Sequence, residues 1–155
     1  MPILRAAQPS DIHNVRLLLE TCNLPDGGIE DQFGEAFVVA VHDGEIIGVA
    51  GTEKYGECGL LRSIAVSERH RGKSVGRLLT RECLARAWRR GISEIYLLTN
   101  DAQEYFGALG FKAVDREQVP HEIAESHEYA SLCPETATVM VLLPHTLHPV
   151  PKTNP

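Results

Sequence analysis

A chain of 155 residues, 43% apolar and 23% charged, has the size and balance of one folded domain with a proper core. A net charge of −6 argues against a broad nucleic-acid surface or an anionic-membrane surface. No apolar run approaches the ~20 residues that cross a bilayer.

Cys22, Cys58, Cys83 and Cys133 are scattered with no C-x-x-C pair. That predicts reduced thiols in a cytoplasmic setting, with no disulfide frame and no metal site. The first residues, MPILRAAQPSD, lack the basic stretch followed by an apolar run that marks a secretory signal.

Residues 3–6 read as a short strand. Ser10 or Asp11 can cap a helix whose apolar face is Ile12, Val15, Leu18 and Leu19. Residues 24–28, LPDGG, are turn-formers and read as a loop. Residues 36–42 form a strand, Asp43-Gly44 a hairpin turn, and residues 45–55 the returning strand. Gly48 and Gly51 inside that strand suggest a bulge or a close contact. With Gly56-Glu57 as the next turn, strands two, three and four read as an antiparallel meander.

Residues 60–88 follow: an apolar strand, a basic loop, then a helix with apolar residues at Val75, Leu78, Leu79, Cys83, Ala87 and Trp88. The first turn of a helix has unpaired N–H groups and the positive end of the macrodipole. Arg71, Lys73 and Arg77 add charge, and Gly72 and Gly76 leave room for close approach. From these residues alone, a phosphate site and a plain solvated basic loop both fit.

Gly91 ends the helix, and residues 93–98 make a fifth strand. Thr99-Asn100-Asp101 can cap a short helix reaching Ala108, and Leu109-Gly110-Phe111 leads into a sixth strand. Residues 120–128 read as a short acidic helix, and residues 135–143 as the last strand. Residues 1–144 are expected to be the domain and 145–155 a Pro-rich tail.

The run Arg71-Gly72-Lys73-Ser74-Val75-Gly76 resembles the Arg/Gln-x-x-Gly-x-Gly/Ala signature of GNAT-fold N-acetyltransferases. Ser74 stands where the first signature glycine usually sits. Ile64-Ala65-Val66 looks like the strand end that pairs with pantetheine in that family. The runs Tyr55-Gly56-Glu57-Cys58-Gly59-Leu60-Leu61-Arg62-Ser63, Leu97-Leu98-Thr99, Tyr105-Phe106 with Leu109-Gly110-Phe111, and Ser131-Leu132-Cys133-Pro134 look like the arsenic-resistance branch. The blocks at residues 60–63, 97–99 and 131–134 are also similar to short amino-acid acetyltransferases related to N-acetylglutamate synthase.

The resemblance implies an α+β GNAT (acyl-CoA N-acyltransferase) fold. Its mixed, mostly antiparallel sheet has six to seven strands, flanked by about four helices. It implies acetyl-CoA as co-substrate, held by Ile64, Ala65, Val66, Arg71, Gly72, Lys73, Ser74, Val75, Gly76, Arg77, Thr99 and Asn100. The acceptor would be a small amine, the α-amino group of a glutamate-like amino acid or of an organoarsenical or phosphinothricin-like analogue. Arg62, Ser63 and Cys133 would line the acceptor pocket. A structural Glu is an equal candidate partner for Arg62.

The family often places a thiolate-protonating Tyr four residues before the glycine of Leu109-Gly110-Phe111. Phe106 occupies that position here, with Tyr105 about 100° around the helix. Tyr105 is the candidate acid, and core packing is the other reading of both rings. Other branches carry a base early on the fourth strand, where this chain has no carboxylate. Glu53 is the candidate base, with Glu57 the alternative. A protein or peptide acetyltransferase and a non-catalytic acetyl-CoA sensor stay open, as does a homodimer. No nucleic-acid, membrane or metal partner is expected.

Overall fold

The computed structural model describes residues 1–126, 129 and 137–143. Cys133, the tail at 145–155 and the domain limit at 144 lie outside them.

The strands are β1 (Ile3–Ala6), β2 (Phe37–His42), β3 (Glu45–Tyr55), β4 (Cys58–Val66), β5 (Glu94–Thr99), β6 (Lys112–Val114) and β7 (Thr138–Leu142). The helices are α1 (Ile12–Thr21), α2 (Val75–Arg89), α3 (Gln103–Ala108) and α4 (His121–Ala124). One seven-stranded sheet runs β1-β2-β3-β4-β5-β7-β6. Every neighbouring pair is antiparallel except β4 with β5. This is the GNAT fold that the motifs imply.

The meander forms where the turn chemistry places it. Asp43 at φ +52 and Gly44 at φ +78 make a turn with both central residues left-handed. Such a turn matches the twist of the two strands it joins. Gly51 marks a close contact: a Cβ there would run into the ring of buried Phe37. A Cβ at Gly48 would stand 2.6 Å from the Leu79 side chain on α2. A bulge also lies beside Gly48, where β3 carries one residue more than β2.

Two sheet faces are covered by different helices. The apolar stripe of α2, including Val75, Leu79, Cys83, Leu84 and Ala87, packs on Val38, Ala50, Leu61, Ile95 and Met140. Val15, Leu18 and Leu19 of α1 cover Phe37, Val39, Val49 and Ala65 on the opposite face. Beside them, Ile123 of α4 and Tyr129 cover Leu60, Tyr96 and Val139. Alternation along each strand divides the side chains between these faces.

The start of α1 differs from the expected cap. Residues Pro9–Asp11 form a 3-10 turn, and no side-chain bond caps α1. The Asp11 carboxylate turns back instead. Its Oδ2 accepts Gln8 N–H at 2.7 Å and Arg5 Nη1 at 2.7 Å. The arginine outcompetes the helix N–H groups because its bond is between full charges.

Candidate active site

β4 and β5 pair in parallel only from Cys58 to Leu60, opposite Glu94 to Tyr96. Past that point the strands part. A cleft of about 690 Å³ opens between them. Its walls are Leu61 to Ile64 and Val66 on β4, Leu97 to Thr99 on β5, and Tyr105 and Phe106 on α3. Arg71, Gly72 and residues 74–77 close one end, while Leu24 and Pro25, just after α1, form another wall.

β4 is itself irregular at the cleft. Val49 pairs with Ala65, but Gly51 pairs with Arg62. Ser63 and Ile64 therefore face Ala50 alone, a bulge with Ser63 in the left-handed region at φ +61. Ile64 and Val66 pack toward the α2 face, and Ala65 toward the α1 face. Arg62 alternates with Leu61 and lies on the face opposite α2, with Leu60. The bulge interrupts the β3–β4 ladder just where the cleft begins.

The basic loop ends in a second left-handed serine. Ser74 has φ +68 and is the residue before the first turn of α2. That conformation is open to glycine at no steric cost, which accounts for glycine at this place in the signature. Gly76 lies on the cleft wall, where a Cβ would meet Val66 Cγ2 at an ordinary 3.6 Å. Alanine would fit there too, as the signature allows. Lys73 and Arg77 are exposed. Arg71 bridges the loop to the end of α1. Its Nε donates to Val66 O at 3.0 Å and its Nη2 to Cys22 Sγ at 3.4 Å. The N-terminus of a fifteen-residue helix, three cations and no carboxylate from Arg71 to Arg77 suit a diphosphate.

On the opposite face Glu53 and Arg62 meet. Arg62 Nη1 donates to Glu53 Oε2 at 3.1 Å, with side chains 0% and 2% exposed. Arg62 Nε donates to Ser63 Oγ at 2.9 Å. Glu53 Oε1 accepts the Tyr55 hydroxyl at 2.6 Å. Burial first, then the bond to Glu53, pushes the Tyr55 hydroxyl above the ordinary tyrosine range. Both oxygens of the carboxylate considered as a base are thus engaged. Glu57 lies outside this network, at the β3–β4 turn, with its carbonyl oxygen accepting from Ser93.

α3 presents two aromatic rings differently. Tyr105 is 37% exposed and lines the cleft. Phe106 stacks edge-on against Tyr105 and Phe111 and packs against the α2-side core. Thr99 lines the cleft and its hydroxyl accepts the Ala102 N–H at 3.0 Å, tying the start of α3 to β5. Asn100, Lys73 and Ala65 are not on the cleft wall. Nothing in the local pattern marked the bulge at Ser63 or His70, which lines the cleft with Ser67 Oγ 2.8 Å from its Nδ1. Among the described residues no three His, Cys, Asp or Glu side chains could hold a metal ion. No helix among them is long and apolar enough to cross a membrane.

Residues 6–111 match the profile of the Acetyltransferase (GNAT) family. An uncharacterized N-acetyltransferase of Chlorobaculum tepidum is 33% identical over 88 residues, 56% of this chain and 56% of that protein. An amino-acid acetyltransferase of Neisseria meningitidis is 27% identical over 128 residues, 76% of this chain and 29% of that protein. The chain therefore spans little more than half of one relative and less than a third of the other. The fold superimposes on N-acetylglutamate synthase from Neisseria gonorrhoeae, complexed with coenzyme A and N-acetyl-glutamate. The TM-score is 0.77 at 22% identity, over 92% of this chain and 35% of that one. It also matches the ribosomal-protein-S18-alanine N-acetyltransferase from Escherichia coli, with a TM-score of 0.70 at 16% identity over 92% and 94% of the two chains.

Proposed function

Because the chain belongs to the GNAT acetyltransferase family, we propose that it transfers acetyl from acetyl-CoA to the α-amino group of a small acidic amino acid or glutamate-like analogue. The observation that carries the acceptor class is Arg62. It is a buried guanidinium on the sheet face opposite α2, where β4 and β5 part. An arginine fork matches a carboxylate, phosphinate or arsenate-like oxyanion. Glu53 holds it in place. The amino-acid acetyltransferase among the relatives supports the same class.

In this reading Arg71 to Arg77 hold the diphosphate at the start of α2. Ile64 and Val66 border the thioester arm. The acceptor enters beside Leu24 and Pro25, with Ser63 and Arg62 beneath it. An α-amino group has a pKa near ~8, so water in an open cleft suffices to take its proton. The neutral amine then attacks the thioester directly, with no acyl-enzyme. Tyr105 is the hydroxyl nearest to hand on α3 for the departing thiolate.

The test is CoA release against a panel of amines. Glutamate, aspartate, phosphinothricin and an arsenic-containing analogue are expected to outrun neutral amino acids, polyamines and peptides. Arg62→Ala is expected to lower kcat/KM for the best acidic acceptor by roughly ten- to a hundredfold, the loss of one charged hydrogen-bond partner. Acetyl-CoA affinity should survive. A peptide as best acceptor would make the chain a protein N-acetyltransferase. Acetyl-CoA binding without CoA release would make it a sensor.

A further inference from the structure

Acetyl transfer as derived so far gives the Ser63 hydroxyl no task. Ser63 is 9% exposed and lines the cleft. Its Oγ accepts the Arg62 Nε–H at 2.9 Å. A hydroxyl has two acceptor lone pairs and one donor, and the Arg62 bond uses a lone pair. The O–H therefore points elsewhere. Among the described residues it meets no acceptor. A buried donor left unmade is costly, and a guanidinium bonded to its oxygen makes it a stronger donor.

Two further observations concern this same atom. Ser63 stands at φ +61, where glycine would be unstrained and serine is not. What serine has over glycine there is the hydroxyl. The hydroxyl is also fixed from behind. The chain runs Tyr55 OH to Glu53 Oε1 at 2.6 Å, Glu53 Oε2 to Arg62 Nη1 at 3.1 Å, and Arg62 Nε to Ser63. It starts against the α4 side of the sheet and ends at the cleft.

We propose that the Ser63 hydroxyl is a catalytic hydrogen-bond donor to the thioester carbonyl oxygen, with Arg62 and Glu53 as its positioning residues. The assignment rests on the acetyl-transfer reading above. The amine lone pair forms the N–C bond while the C=O π pair moves onto oxygen. Ser63 donates to that oxygen as its negative charge grows. The pair then returns to carbon, the C–S bond breaks, and sulfur leaves with its electrons. One proton lost from nitrogen to water is matched by one that sulfur gains by way of Tyr105 and water. An amide and a free thiol result, and no other reactant is consumed. Ser63 keeps its proton throughout, so it is neither nucleophile nor base. A donor fixed before the charge appears stabilises it without reorganising.

Ser63→Gly is the informative variant, since glycine takes φ +61 freely and the bulge survives. Acetyl-CoA labelled with carbon-13 at the carbonyl, bound without acceptor, reports the contact through its infrared stretch, which falls as the oxygen accepts a stronger bond. The stretch is expected lower in the parent than in Ser63→Gly, with acetyl-CoA affinity by calorimetry little changed. Glu53→Gln, which loosens Arg62, should move the stretch part of the way with the pH profile of kcat/KM retained. With Ser63→Gly, kcat is expected to fall by about a hundredfold for acidic and neutral acceptors alike. An acceptor contact would instead raise KM for anionic acceptors alone. An unchanged stretch, or a kcat within about threefold of the parent, overturns the assignment. If the parent releases no CoA with any amine, the acetyl-transfer reading is what fails, and the carbonyl stretch still decides the Ser63 contact.

Discussion

Two left-handed serines border the cleft, and they behave oppositely under substitution. Ser63 uses its hydroxyl, bonded to Arg62. Ser74, at φ +68, makes no side-chain cap bond to α2 and lies exposed. Left-handed backbone costs a non-glycine residue about 1–2 kcal/mol, partly offset by the greater entropy glycine loses on folding. Ser74→Gly is therefore expected to raise stability by about 0.5–1 kcal/mol, read as a higher urea midpoint with an unchanged slope. Affinity for acetyl-CoA should hold or tighten. A lower midpoint would mean the hydroxyl has a partner in solution. Tyr105 carries the second residue-scale expectation. It is 37% exposed on an open cleft, so water can replace its hydroxyl. Tyr105→Phe should lower turnover by less than about tenfold, under the ~10²–10⁴ of a full acid–base contribution. A hundredfold loss with intact cofactor affinity would assign the thiolate proton to Tyr105.

At the scale of elements, the meander rests on two strands that approach closely. Gly51 faces the ring of Phe37, a fully buried residue wedged under α1. Gly51→Ala should cost about 1–3 kcal/mol as overpacking, seen as a drop in melting temperature. An unchanged melt would show that the Phe37 ring can swing aside. Much of this architecture was legible in the chain. Short apolar runs bounded by turn residues marked β2 to β5, helical spacing marked α2, and Asp43-Gly44 marked the hairpin. The bulge at Ser63 was not, because nothing in a local strand pattern marks one extra residue. That bulge changes which side chains share a face, so the site's geometry depends on it. The Glu53–Arg62 pair was open as an alternative, since the residues lie nine apart and meet only in one register of β3 on β4. The cap of α1 was misplaced because Arg5, on a different element, claims Asp11.

The whole molecule is stapled at its N-terminus by that Arg5–Asp11 contact, which joins β1 to the entrance of α1 and so holds the helix whose end borders the cleft. Asp11 is 8% exposed, and its bond to Arg5, helped by the Gln8 N–H, holds its carboxyl below the usual aspartate value. A lowered folded pKa means the unfolded chain takes up its proton first. The added stability is therefore fully present above the unfolded pKa of about 3.9, and it is lost as pH falls through the lower folded value. Arg5 is 36% exposed at its side chain, so the pair belongs nearer the surface range than the buried one. Asp11→Asn also weakens the Gln8 contact, and the two losses together should cost about 1–2 kcal/mol at pH 7. The measurement is urea unfolding of parent and Asp11→Asn at pH 7, 5, 4 and 3. The gap between the midpoints should be constant from pH 7 to pH 5 and close progressively below about pH 4, as the parent alone loses the contribution of an ionised Asp11. A gap that stays the same down to pH 3 would locate the stabilisation in the shape of the side chain rather than its charge. A gap that widens toward low pH would reverse the sign and remove Asp11 from the list of groups stabilised by ionisation.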